Sequence, residues 1–359
     1  MLVTIHKKNI FLLVTAYAQL GQAYLQAKCY EQALDHLTTA LKLNGSLFQK
    51  VRQTRDYHTQ ILTLLGQCYM EAGNYKDSLN LLDKSLAMTR QLKGNDTIDS
   101  CAIYSIIAKV HIKQKDYEAA LKYLQKIETI TSQDEASEPE ALAGIYLQIA
   151  KVFAKRREDK QAIQHQEKAL DIFEQTAKFH GTDFLAGVAT QLSTWQEQAG
   201  QIAEALVNLG KALDIYKNSY GMEDIRTCKI KRNVALVYLR GNQFEEALRE
   251  LREVEELERV LYGEASSNLA KTQKIIGTLM IITGNTQEAR EYLVQAHAIF
   301  EQRGMLKQLR ETKQKLKMLQ QAAKQTASML VQSELSEIAQ NEANEKNGEE
   351  QMSDDEVAL

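Results

Sequence analysis

Proline is almost missing. Pro139 is the only one in 359 residues, where ordinary usage would place roughly 18. So few breakers exclude a collagen-like repeat and a proline-rich linker, argue against a turn-rich β-sandwich, and leave room for many uninterrupted helices. Cysteine is also sparse: Cys29, Cys68, Cys101 and Cys228 are scattered, with no CxxC pair. In a chain of this length they read as reduced cytosolic thiols, not as a disulfide framework. Long apolar runs are missing too. The stretch Ile10 to Val14 is too short to span a bilayer and flows into a repeated segment, so neither membrane insertion nor a cleaved leader is expected. There is no glycine-rich phosphate loop, no GxSxG and no HExxH, which leaves no cofactor, no metal and no enzymatic activity to expect.

What is present can build a core: 44% of residues are hydrophobic and 25% are charged. At about 150 residues per domain, the length suggests two domains or one elongated array. The net charge is −3, which is no footprint for nucleic acid. The charge is unevenly spread. Residues 333–359 hold nine acids and one lysine, a net of −8, which leaves +5 for the rest.

The strongest signal is an internal repeat. A small residue is followed by an aromatic or large apolar residue three positions on, often an aromatic six later, and a small residue three after that. The first copy is Gly21, Tyr24, Tyr30, Ala33 and Ala40; the second is Gly66, Tyr69, Tyr75, Ser78 and Ser85. The later small residue recurs at 33, 78, 120, 162, 205, 247 and 289. The intervals are 45, 42, 42, 43, 42 and 42 residues. Seven copies with so little drift define a structural unit.

Each copy reads as two antiparallel helices. Leu62, Leu65 and Tyr69 carry the helical spacing of a first helix. Gly73-Asn74, Gly200-Gln201, Gly241-Asn242 and Gly284-Asn285 mark the turns, where glycine would serve as a left-handed cap. Small residues such as Ala33 and Ala247 would let the helices approach, and the aromatics would fill the gap between neighbouring repeats. No repeat can bury both its faces, so stacking supplies the core.

The spacing Gly21, Tyr24, Tyr30, Ala33, Ala40 resembles the tetratricopeptide repeat, which is normally 34 residues long. The 42-residue period resembles its kinesin light chain subclass. The connectors Lys93-Gly94, His180-Gly181, Tyr220-Gly221 and Tyr262-Gly263, and the stretches 205–216 and 289–300, carry that likeness. The resemblance implies an all-α, right-handed superhelix (an α-solenoid) of about seven helix-turn-helix repeats over 12–302. It also implies a non-enzymatic scaffold for proteins, in a cytoplasmic, ciliary or cytoskeletal setting, or a kinesin-light-chain-like cargo adaptor.

In such solenoids the first helices line a concave groove. Here the groove register holds Gln22, Gln67, Lys109, Lys151, Lys229, Arg232, Lys271 and Lys274. Leu25, Met70, Ile112, Leu239 and Ile281 would be its apolar patches. Gln148, Gln191 and Asn233 match the register at which the subclass carries peptide-gripping asparagines. A basic, partly apolar groove of this kind would bind an acidic or extended peptide segment.

Residues 1–11 read as an N-terminal extension, 303–332 as a capping helix, and 333–359 as a disordered acidic tail. The tail could fold back onto the basic groove. Ser353, followed by Asp354, Asp355 and Glu356, has the form of an acidophilic kinase site. His36, His111 and His165 fit packed ring positions better than metal ligands. Trp195 fits core filling. Glu245-Glu246 and Glu255-Glu256 fit solvated faces.

Overall fold

The computed structural model describes residues 2–47 and 52–322, together with 325 and 332. The described residues form helices joined by short turns, with no strand among them. The elements in order are α1 (Leu2–Gln26), α2 (Tyr30–Leu47), α3 (Arg52–Glu71), α4 (Tyr75–Lys93), α5 (Ile98–Lys113), α6 (Tyr117–Gln133) and α7 (Pro139–Lys155). They continue with α8 (Asp159–Gln175), a short 3-10 turn (Ala177–Phe179), α9 (Asp183–Gln198), α10 (Ile202–Tyr220), α11 (Ile225–Arg240), α12 (Phe244–Tyr262), α13 (Ser267–Ile282) and α14 (Thr286–Gln302). A further helical segment covers 306–322. Residues 2–11 are part of α1, not a separate extension. Pro139 opens α7 at its first position, where a missing N–H costs nothing. The acidic stretch 333–359, with Ser353, lies outside the described residues.

The chain divides into two compact units, Met1–Gln201 and Ile202–Leu359. In the first, α1 packs on α2, α3 on α4, α5 on α6 and α7 on α8, and each second helix also meets the next first helix. The first helices α1, α3 and α5 touch side by side. In the second, contacts run from α10 to α11 and onward through α14. This is the helix-pair solenoid that the period predicts.

The reason for the period is visible in the burial. Ala33, Ser78, Ala120, Ala162, Ala205, Ala247 and Ala289 are all essentially solvent-free. Against them sit the small residues of the first helices. A Cβ added to Gly66 would lie 2.7 Å from Cγ of Leu82, and one on Gly21 would lie 2.5 Å from Cγ of Leu37. Side-chain volume is excluded at these crossings so that a leucine from the second helix can lie over the first. Each such leucine contributes about 1.5–3 kcal/mol of burial.

The turns keep the same ruler. The residue five before each buried small residue adopts a left-handed conformation: Lys28, Gly73, Lys115, Arg157, Gly200, Asn242 and Gly284. The next residue usually donates its N–H back across the helix end, as Asn74 does to the Tyr69 carbonyl and Gln243 to that of Tyr238. The glycine rule therefore holds at three turns and fails at the sixth. There Asn242 takes the left-handed position (φ 57°), and Gly241 is right-handed at φ −76°. Gly241 serves a close approach instead, since a Cβ there would meet Ile202 Cγ2 at 2.9 Å.

The rings pair both between and within repeats. Phe11 of α1 meets Tyr57 of α3 edge-on at 5.0 Å, and Phe173 of α8 meets Phe184 of α9 at 4.9 Å, each bridging neighbours. Other pairs lie inside one repeat. His36 stacks on Tyr24 at 5.2 Å, His111 on Tyr123 at 5.7 Å, and His165 tilts against Phe153 at 5.3 Å. Each pair joins the first helix to the second at one shared register, which accounts for the histidines. Trp195 is buried in α9.

The segment 306–322 covers the end of the second compact unit. Met305 and Leu309 pack on the cluster of Ala270, Ala296 and Phe300. Leu319 joins the cluster of Ala235, Leu251, Ile276 and Met280. Thr312 is fully buried.

Candidate functional site

The wall made by α1, α3 and α5 carries two recesses. The larger, about 610 Å³, is lined by Gln22 of α1, by Asp56, Gln60 and Thr63 of α3, by Leu92 and Lys93 of α4, and by Ile98 and Asp99 of α5. The smaller, about 300 Å³, lies between α1 and α3 and is lined by Gln22, Gln26, Leu64, Gln67 and Glu71. The larger falls within the size range of ordinary ligand clefts. Its walls present amides, hydroxyls and a few apolar side chains, a surface able to bond to a peptide backbone.

Charge on this wall is partly self-neutralised. Lys93 Nζ donates to Asp99 Oδ1 at 2.9 Å, which raises the lysine above its ordinary value. Lys113 Nζ donates to Glu71 Oε2 at 2.9 Å across α5 and α3. Lys109 on α5 and Lys151 on α7 are exposed and form no ion pair among the described residues. Gln191 on α9 is exposed, and Gln148 on α7 is half-buried, with its amide 3.5 Å from the Gly144 carbonyl of its own helix.

Two of the expected apolar patches are core. Leu25 and Met70 are 8% and 2% exposed. They lie four residues beyond Gly21 and Gly66, one helical turn on the same face, and Leu25 still lines the smaller recess. Ile112, Leu239 and Ile281 are half-buried.

In the second compact unit, Lys229 is exposed, Asn233 and Lys271 are half-buried, and neither lysine has an ion-pair partner among the described residues. Arg232 is otherwise placed. Its guanidinium donates to Glu258, to Thr272 Oγ1 at 2.7 Å and to the Asn268 carbonyl at 3.2 Å. It thereby ties α11, α12 and α13 together inside the molecule. Lys274 is also engaged: Nζ donates to Glu311 Oε2 at 2.7 Å, and this bond holds the Glu311 carboxyl below its usual range. These two cations brace the fold where an open groove was expected.

Sequence reasoning missed the network around them. Lys231 bonds Glu250 at 3.3 Å and also Glu253. Glu255, expected on a solvated face, is 4% exposed and accepts from Gln273 and Arg259, both at 3.1 Å. A signal for it existed. Leu251, Val254, Glu255 and Glu258 share one helical stripe on α12, and two of the four are acids.

No group of three or more His, Cys, Asp or Glu side chains among the described residues is placed to hold a metal. No helix among them is long and apolar enough to cross a membrane. Burial pushes the Cys228 thiol up to about 11, away from the thiolate form that would make it a nucleophile.

The comparisons with known proteins agree with this geometry. Two family models, each described as Tetratricopeptide repeat, match residues 57–133 with 226–302, and 14–47. Together they span just over half of the chain. The chain belongs to the tetratricopeptide repeat family. Among solved structures, the apo form of RapI is 15% identical with a TM-score of 0.57, covering 81% of this chain and 77% of its own. The C-terminal part of a TPR repeat-containing protein from Cytophaga hutchinsonii is 14% identical at 0.55, covering 78% and 94%. A putative kinesin light chain from Podospora anserina with nearly identical TPR-like repeats is 15% identical at 0.49, covering 58% and 98%. At these identities the likeness concerns the fold. No curated protein matches the chain.

Proposed function

We propose that this protein is a non-enzymatic interaction scaffold that holds an extended segment of a partner protein along the first helices of its N-terminal compact unit. The observation that carries this reading is the 610 Å³ recess where α1, α3, α4 and α5 meet. Gln22 and Gln60 supply hydrogen-bonding groups for a peptide backbone, and Leu92 and Ile98 supply an apolar seat. Lys109 and Lys151, exposed on the following first helices, favour acidic side chains on the partner. Gln67 continues the register of Gln22, and Gln148 and Gln191 stand one helical turn earlier on their own first helices.

The cellular setting proposed is cytoplasmic. A ciliary place is the finer proposal, and its support is a likeness of the sequence over 57–92 and 263–302 to tetratricopeptide repeat protein 23. A kinesin-light-chain-like cargo adaptor is the second reading, supported by the 42-residue period and the glycine connectors.

The test is an affinity capture from cell lysate with the full chain and with Lys109→Glu/Lys151→Glu, followed by mass spectrometry. The expected outcome is loss of a small set of partners carrying acidic segments. Partners retained by the reversed chain would move the interaction to another face. The identity of the lost partners distinguishes cilium from cargo transport.

A further inference from the structure

The positive charge left after the acidic stretch is set aside is not spread along the solenoid. Residues 1–305 hold 37 basic and 37 acidic side chains and are neutral overall. The surplus lies between 306 and 332, where Lys307, Arg310, Lys313, Lys315, Lys317 and Lys324 stand against the single acid Glu311. Directly C-terminal to it is 333–359, with a net of −8.

The structure shows which way this charge faces. Leu309, Thr312 and Leu319 turn inward onto α13 and α14. Glu311 is partly exposed and is bonded to Lys274, with Lys307 and Lys315 also within its electrostatic reach. Lys307, Arg310, Lys313 and Lys317 are exposed and share one face of the helix at spacings of three and four. Lys307 acts at longer range on Glu311, and none of the four makes a close ion pair among the described residues. The exposed Leu306 and Met318 flank the row, at 65% and 61% exposure. Four unpaired like charges on one helix face repel one another, and an acidic strand laid along them relieves that repulsion.

We propose that this outward face of 306–322 is a docking surface for the acidic segment 333–359 of the same chain. Charge complementarity selects the occupant: it is the most acidic stretch of the sequence and is tethered beside the most basic surface. Reach permits it. Twenty-seven residues extend up to about 90 Å, more than three times the roughly 25 Å length of the helix over 306–322. Tethering holds the segment at a local concentration on the order of millimolar, so weak surface pairs suffice. The docked segment would screen this face from outside acidic partners. A phosphate on Ser353 would add about −2 charge and tighten the contact.

Zero-length carboxyl-to-amine cross-linking of the full chain tests this, with isotopically light and heavy copies mixed at low micromolar concentration. Cross-links from Glu334, Glu349, Glu350 or Asp354–Glu356 should fall on Lys307, Lys313 and Lys317 about tenfold more often than on the equally exposed Lys109, Lys151 and Lys229. They should join residues of one copy and fade in 1 M salt. Lys307→Glu/Arg310→Glu/Lys313→Glu/Lys317→Glu removes acceptor lysines, so the preference is checked by a reporter outside the face. A fluorophore at Cys29 and a second at the C-terminus should change their transfer efficiency in this variant, and likewise in the milder glutamine set. An unchanged thermal melt would show that the fold survives. Cross-links spread evenly over exposed lysines, links only between copies, or transfer efficiency insensitive to both variants would overturn the proposal. Neither variant touches Lys109 or Lys151, so loss of partner capture and loss of docking are read separately.

Discussion

Between α6 and α7 the interior is hydrocarbon: Leu124, Ile127, Ile145, Ile149 and Val152 are all buried. Between α12 and α13, in the second compact unit, the matching layer contains Glu255, Glu258, Thr272 and Gln273, joined to Arg232 and Arg259. Both layers sit beside helix pairs closed by the same small-residue contact, through Ala120 in one and Ala247 in the other. The contact within a pair fixes the repeat, and the chemistry between pairs is left free to change. A hydrocarbon layer accepts many neighbours. An ionic layer accepts one register, because any shift leaves a buried charge without its partner.

That contrast can be broken most sharply at Glu258. Glu258→Ala leaves Arg232 and Thr272 facing an empty acceptor position, and should cost about 3–5 kcal/mol. Hydrogen exchange followed by mass spectrometry should show faster exchange in 225–322 and little change in 2–201. The double replacement Arg232→Met/Glu258→Leu should recover most of the loss. If the double variant is as weak as the single one, the layer contributes packing and not charge pairing. In the hydrocarbon layer, Leu124→Ala should cost about 2–5 kcal/mol by transfer and cavity terms. Its exchange effect should centre on α5 to α7, and no second replacement nearby should restore it.

A smaller effect is expected within a pair. Gly66→Ala places a methyl 2.7 Å from Leu82 Cγ, and should cost about 1–3 kcal/mol through overpacking. A chemical melt unchanged by this variant would mean that Leu82 has room to rotate away. The smallest effect is the pH response of the terminal segment. The Lys274 bond lowers the Glu311 carboxyl from its ordinary 4.5. Its contribution is therefore complete above that value and is lost as pH falls through the lowered one. Exchange in 306–322 should rise in that acid window, while α5 to α7 stay protected. Equal loosening of both would dissolve the comparison.

The repeat was legible because small residues at fixed intervals are a local and redundant signal, seen seven times. Turn conformations were legible only where glycine filled them. Lys28, Lys115 and Arg157 adopt the same backbone with side chains that give no hint of it. The groove was the least legible part. Arg232 and Lys274 stand in the expected register, but their carboxylate partners lie 26 and 37 residues further along. Nothing in the spacing of the basic residues points to those acids. Likewise, Met70 occupies the register predicted for the groove, and only the packed helices show that it faces inward there.

The left-handed turns have a thermodynamic consequence of their own. A side chain in that conformation costs roughly 1–2 kcal/mol that glycine does not incur, against under about 1 kcal/mol of extra chain entropy that glycine loses on folding. Lys28, Lys115 and Arg157 are thus three unrelaxed hinges, all in the first compact unit. Thermal fraying should begin at their hairpins, and glycine at each would raise the temperature at which the N-terminal repeats start to open.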